Sequence, residues 1–125
     1  YYQPFRENSV TGYNVIGEVR ASERSNEYVI VGAHYDHLGT IKGKTYPGAD
    51  DNASGVAALL ELGRMFAQMK KDGKRLSKNI LFVAFDGKEM SMAGSRNFLK
   101  SSKRKFTIKV NALSDLYHYF NKNIY

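Results

Sequence analysis

Residues 28–36 read YVIVGAHYD. The first six form a continuous apolar run rich in β-branched side chains, the pattern of a strand covered on both faces. The run ends at His34, Tyr35 and Asp36, so side chains able to do chemistry follow its carboxyl end directly. Open α/β sheets place their ligands just there. The pattern recurs in residues 79–85, NILFVAF, a second buried strand followed by Asp86 and then by Lys88 and Glu89. Between the two runs, Asp50 and Asp51 stand at the mouth of a helix.

That helix is expected over residues 54–71, SGVAALLELGRMFAQMKK, where Val56, Leu59, Leu60, Met65, Phe66 and Met69 recur at helical spacing. Asp51, Asn52 and Ser54 supply capping groups at its start, and Lys70, Lys71 and then Asp72-Gly73 end it. Residues 14–20, NVIGEVR, alternate as a half-buried strand. Being close in sequence, strands 14–20 and 28–33 are expected to pair as a hairpin. Residues 37–50 read as a loop, residues 90–99 as a short helix, and residues 106–110 as a third core strand. Ser114 can cap a last helix carrying Leu116, Tyr117 and Phe120. Strands alternating with helices predict an α/β three-layer sandwich with a mixed, largely parallel central sheet.

The chain has 125 residues, the size of one domain. Its net charge of +7 invites a nucleic-acid reading. The cations gather instead around one helix end (Lys70, Lys71, Lys74, Arg75, Lys78) and one connection (Lys100, Lys103, Arg104, Lys105), where cations are ordinarily favourable. With no zinc-finger, ribonucleoprotein or helix-turn-helix signature, a nucleic-acid partner is not expected. The absence of cysteine excludes disulfides and thiolate metal sites. No run is apolar and long enough for a membrane span.

Each polar group past a strand has an ordinary reading. A lone histidine is commonly a satisfied core or surface residue, aspartates before a helix are commonly caps, and a Lys-Glu pair is commonly solvated charge. His37 reads as a loop-shaping residue and His118 as part of an aromatic helix face. The ordinary readings weaken when imidazole and carboxylates meet at two strand ends and the helix mouth between them, because that is a donor set for zinc and similar divalent ions. A His-x-Asp pair also suits a carboxylate that orients its imidazole.

Residues 29–39 (VIVGAHYDHLG), 48–66 (GADDNASGVAALLELGRMF) and 79–98 (NILFVAFDGKEMSMAGSRNF) together resemble the co-catalytic zinc aminopeptidase family of clan MH. That family takes in bacterial leucyl-type aminopeptidases and glutamate carboxypeptidases, with glutaminyl cyclases and the transferrin receptor as relatives. The resemblance implies two zinc ions, with His34, Asp51 and Glu89 as metal ligands and Asp51 as the bridge. It implies that Asp36 supports His34 and that a cis peptide follows Asp51. It implies an acidic general base at position 88, where this chain has Lys88. Such enzymes use zinc to polarise a peptide carbonyl and activate water, and the carboxylate carries the water's proton to the leaving amine. A protonated lysine has no lone pair for that task.

The family pattern also expects an Asn-x-Asp after a later strand and a final histidine. Here Asn111 matches, Leu113 stands at the Asp position, Asp115 lies two residues on, and His118 is the histidine available. Residues 1–125 are therefore read as one incomplete zinc-peptidase-like domain. Its expected function is that of a metallopeptidase of the aminopeptidase type, impaired or inactive through Lys88. Peptides with a free amino terminus would be its substrates if active. A non-catalytic binding or scaffold domain of the same fold is the first alternative, and a glutaminyl-cyclase-like acyltransferase the second. The family resemblance further suggests periplasmic or secreted residence, and a short α/β chain with exposed sheet edges could associate into oligomers.

Overall fold

The computed structural model describes residues 10–101. In chain order these form β1 (Val15–Val19), β2 (Tyr28–His34), β3 (Gly39–Ile41), β4 (Lys44–Tyr46), an irregular turn (Ala49–Ala53), α1 (Ser54–Lys71), β5 (Asn79–Phe85) and α2 (Ala93–Ser101). The main sheet has the order β1-β5-β2, with β2 parallel and β1 antiparallel to β5. The architecture is α/β with a mixed sheet.

The expected β1–β2 hairpin does not form, because β5 lies between the two strands. Burial explains the choice. Residues 79–83 of β5 are all buried, and Val83 is 0% exposed. The most continuously apolar strand takes the centre, where it is covered on both faces. β1 is correspondingly more exposed than its half-buried reading, with Val15 and Ile16 largely open. β2 is half-covered rather than fully buried, and only Ala33 and His34 reach the interior.

Alternation along β5 sorts its side chains between two layers. Ile80 and Phe82 join Ala33 and Leu59 in the core, with Val56 and Phe66 of α1 packed against them. The Phe66 and Phe82 rings tilt together with centroids 6.2 Å apart. Burying each such side chain is worth roughly 1.5–3 kcal/mol. Phe85, on the opposite pleat, meets Phe98 of α2 edge-on at 5.7 Å. Helix α1 follows its predicted span, but Leu60, Met65 and Met69 of the expected apolar set face outward.

The loop expected over 37–50 holds the β3–β4 hairpin. Its two turn residues, Lys42 and Gly43, both have positive φ (50° and 76°), the geometry of a tight hairpin turn that glycine tolerates best. The short helix starts at Ala93 rather than residue 90, because Ser91 and Met92 also take positive φ. The readings at 106–110, Asn111, Leu113, Ser114, Asp115 and His118 lie outside the described residues. Part of the basic cluster ties the sheet connections together: Lys70 Nζ donates to the Arg20 carbonyl at 2.7 Å, and Lys78 pairs with Glu27 at 2.6 Å.

Topology sets the site. Because β2 and β5 are parallel, His34 stands opposite Phe85 and both strands end on one edge. The start of β1 reaches the same edge, with Val15 opposite Ala84. The turn before α1 leads there too, since α1 connects β2 to β5.

Candidate metal and catalytic centre

His34, Asp36, Asp51, Lys88 and Glu89 come together at this edge. His34 is 7% exposed. Its Nδ1 lies 3.0 Å from the Asp36 carbonyl oxygen, so in the neutral ring Nδ1–H donates there and Nε2 carries the lone pair. That Nε2 lies 3.0 Å from Asp51 Oδ1, yet it has no hydrogen-bond partner among the described residues. Two electron-rich atoms thus face each other at close range.

Asp36 serves the site differently from the simple picture of a carboxylate aimed at the imidazole. Its Oδ1 is 3.7 Å from His34 Nδ1. Its two oxygens accept the backbone N–H groups of Lys88 and Glu89, each at 3.0 Å. It therefore ties the end of β2 to the turn after β5.

Asp51 sits in the irregular turn, followed by a cis peptide to Asn52. Asn52, not Asp51, serves α1: its Oδ1 accepts the Gly55 N–H at 3.1 Å. Ser54 Oγ donates to the Asp50 carbonyl at 2.8 Å. The Asp51 carboxylate is left free to face His34.

Lys88 lies over the acidic pair. Its Nζ is 2.7 Å from Glu89 Oε1, and 3.2 and 3.4 Å from the two Asp51 oxygens. The Glu89 bond raises the lysine pKa; partial burial opposes this, and Asp51 adds to the rise. At Asp51 desolvation pushes the pKa up, but the bond and charge of Lys88 oppose it, and the carboxyl lies below its ordinary value. The cluster is a metal-like arrangement with an ammonium on it.

His37, read from sequence as a loop residue, also arrives here. Its Nδ1 is 3.9 Å from Asp51 Oδ2, and it is buried without a hydrogen-bond partner among the described residues. One donor atom from each of His37, Asp51 and Glu89 lies within 4.8 Å of the others. The spacing of His37 three residues past His34 was the available signal. The support around Asp86 was also not foreseen. Asp86 accepts N–H bonds from Tyr13 (3.0 Å) and Gly87 (2.8 Å), while its own N–H donates to Asn14 Oδ1. Asn14 also donates to the Gly94 carbonyl, and any Cβ at Gly94 would collide with the Asp86 carbonyl.

The residues fit a zinc-class ion. Imidazole nitrogens and carboxylate oxygens are its donors, and two buried ring nitrogens here face a carboxylate unpartnered. The model of Peptidase family M28 matches residues 14–125. The chain belongs to peptidase family M28. That places it with the zinc peptidases of clan MH. It is 37% identical over 89 residues to a probable glutamate carboxypeptidase AMP1 of Arabidopsis thaliana, covering 71% of this chain and 12% of that protein. It is 36% identical over 93 residues to a probable zinc metalloprotease of Pyrenophora tritici-repentis, covering 71% of this chain and 20% of the relative. It is 34% identical over 87 residues to human transferrin receptor protein 2, covering 70% of this chain and 10% of the receptor. This M28 chain thus spans a fifth or less of the length of these curated relatives. No helix among the described residues is long and apolar enough to cross a membrane.

Proposed function

We propose that this chain is an M28 metallopeptidase domain of the aminopeptidase type whose hydrolytic step is impaired by Lys88. The observation that carries the reading is the Lys88 ammonium bonded to both Glu89 and Asp51. His34, Asp51 and Glu89 would hold zinc, with Asp36 supporting His34 through its backbone carbonyl and fixing the 88–89 backbone through its carboxylate. When bound, zinc supplies Lewis-acid polarisation of a peptide carbonyl and lowers the pKa of water.

The chain's own residues then decide the outcome. A general base at position 88 would accept a proton from water and deliver it to the leaving amine. Lys88 could do so only if its pKa were depressed, and its two acidic neighbours push it the other way. It remains a cation at neutral pH and donates hydrogen bonds where a base must accept one. Losing a general base ordinarily removes about a hundred- to ten-thousand-fold in rate.

The same observation favours a second reading, a non-catalytic binding domain of this fold. Similarity to a protein named as a receptor sits easily with it. A glutaminyl-cyclase-like activity has less support, since the MSMAGS continuation after Glu89 fits peptidases better. The test is hydrolysis of an aminoacyl anilide with zinc, by the wild-type chain and by Lys88→Glu. The wild type should show little turnover and the variant should gain. Wild-type turnover that chelation abolishes and zinc restores would contradict the impairment.

A further inference from the structure

We infer that His37 is a metal ligand, so that His37 Nδ1, Asp51 Oδ2 and a Glu89 carboxylate oxygen form a second cation pole beside His34. The inference rests on reading this edge as a zinc site and adds a residue to it. Asp51 is the hinge of the argument. Its Oδ1 faces the buried His34 Nε2 at 3.0 Å and its Oδ2 faces the buried His37 Nδ1 at 3.9 Å. One carboxylate thus addresses two imidazoles, one oxygen to each. Neither ring nitrogen has a hydrogen-bond partner among the described residues.

A loop-shaping histidine would expose its ring nitrogens or bond them, because a buried unpartnered polar atom ordinarily costs about 1–3 kcal/mol. His37 does neither at Nδ1. Its side chain is 21% exposed, and the ring is seated against Gly48, where an added Cβ would lie 2.8 Å from the ring. The seat holds Nδ1 toward the acidic pair. Donor atoms around a tetrahedral zinc, with bonds of about 2.0–2.2 Å, stand ~3.4 Å apart. The His37, Asp51 and Glu89 donors fall within 4.8 Å of one another, so small rotations bring them to that spacing.

A cation already marks the position. Lys88 Nζ contacts Asp51 Oδ2 at 3.2 Å and Glu89 Oε1 at 2.7 Å, the two acidic partners proposed for the ion. Its side chain is 36% exposed on a flexible stem, so it can swing away. Lys88 and the metal therefore compete for the same carboxylates, and His37 supplies the imidazole that favours the metal.

The probes are zinc affinity, by chelator competition, and the visible and near-ultraviolet spectrum of the cobalt(II)-loaded full chain. His37→Gln should weaken zinc binding at least about tenfold in both the wild-type and the Lys88→Met backgrounds, the scale on which even supporting partners of a ligand act. His37→Cys gives a positive readout that misfolding cannot imitate. The chain has no cysteine, so a thiolate-to-cobalt charge-transfer band can come only from position 37. Appearance of that band supports the inference. If His37→Gln binds zinc as its parent does while His34→Gln loses it, or if His37→Cys binds cobalt without the band, His37 is not a ligand and the zinc site stands without it. If neither the wild type nor Lys88→Met binds zinc, this inference and the zinc-site reading fall together.

Discussion

Lys88 Nζ lies 3.2 Å from Asp51 Oδ2. The two side chains are 36% and 53% exposed, so the pair sits in partly screened surroundings. Ion pairs of this kind are worth about 0–1 kcal/mol. The contact matters for the charge it places on the site and little for folding. Lys88→Met should therefore change the urea unfolding free energy by no more than about 1 kcal/mol. A larger loss would make Lys88 a structural residue and weaken its functional reading.

The fold should be far more sensitive at β5. Phe82 is buried against α1, where it meets Phe66. Phe82→Ala should cost about 3–5 kcal/mol, since the side chain's burial is lost and a cavity remains. Urea melts of the two proteins measure this directly. A cost under about 1 kcal/mol would mean that the α1–sheet contact is not the core described here.

Much of this was legible in the sequence because three signals agreed. Continuous apolar runs marked β2 and β5, helical spacing marked α1, and chemistry-bearing residues followed each strand. Strand pairing was not legible. Nothing in residues 14–33 reveals that β5 will enter between β1 and β2, because that choice depends on which strand can be covered on both faces. The hairpin over Gly39–Ile41 and Lys44–Tyr46 was hidden in a polar stretch whose turn signal is a single Lys42-Gly43. At the site, residue types marked His34, Asp36, Asp50, Asp51, Asp86, Lys88 and Glu89 as chemistry-bearing, and the family resemblance singled out His34, Asp51 and Glu89 among them. The double duty of Asp36 and the arrival of His37 depend on tertiary placement, which sequence distance conceals.

Asp36 should matter through the backbone it holds. Both of its oxygens accept main-chain N–H groups, and its side chain is 16% exposed. Asn at this position keeps one acceptor oxygen and loses the charge. Asp36→Asn should cost about 1.5–3 kcal/mol, the range for hydrogen bonds to charged groups. Amide exchange at Lys88 and Glu89 should accelerate with it. Unchanged exchange at both amides would show that the clamp is not formed in solution.

Asp86 gives the fold an acid dependence. The Tyr13 N–H lowers its pKa, desolvation opposes this, and the Gly87 N–H and the Tyr35 hydroxyl lower it further. A carboxyl with a depressed folded-state pKa stabilises above its unfolded value, about 3.9, and loses that contribution as pH falls through the folded value. The wild type should therefore be more stable than Asp86→Asn near neutrality, with the difference shrinking below about pH 4. Unfolding free energies across pH 2–7 for both proteins check the sign, and a difference that grows on acidification would contradict it.

The most direct test of the central claim, that Lys88 occupies with its own charge a place built for a metal and a base, is zinc affinity of the wild-type chain against Lys88→Glu. The claim predicts that the variant binds zinc at least about tenfold more tightly, because a competing cation is gone and a carboxylate stands in its place. Equal or weaker binding by the variant would contradict it, and Lys88 would then be a bystander at this edge of the sheet.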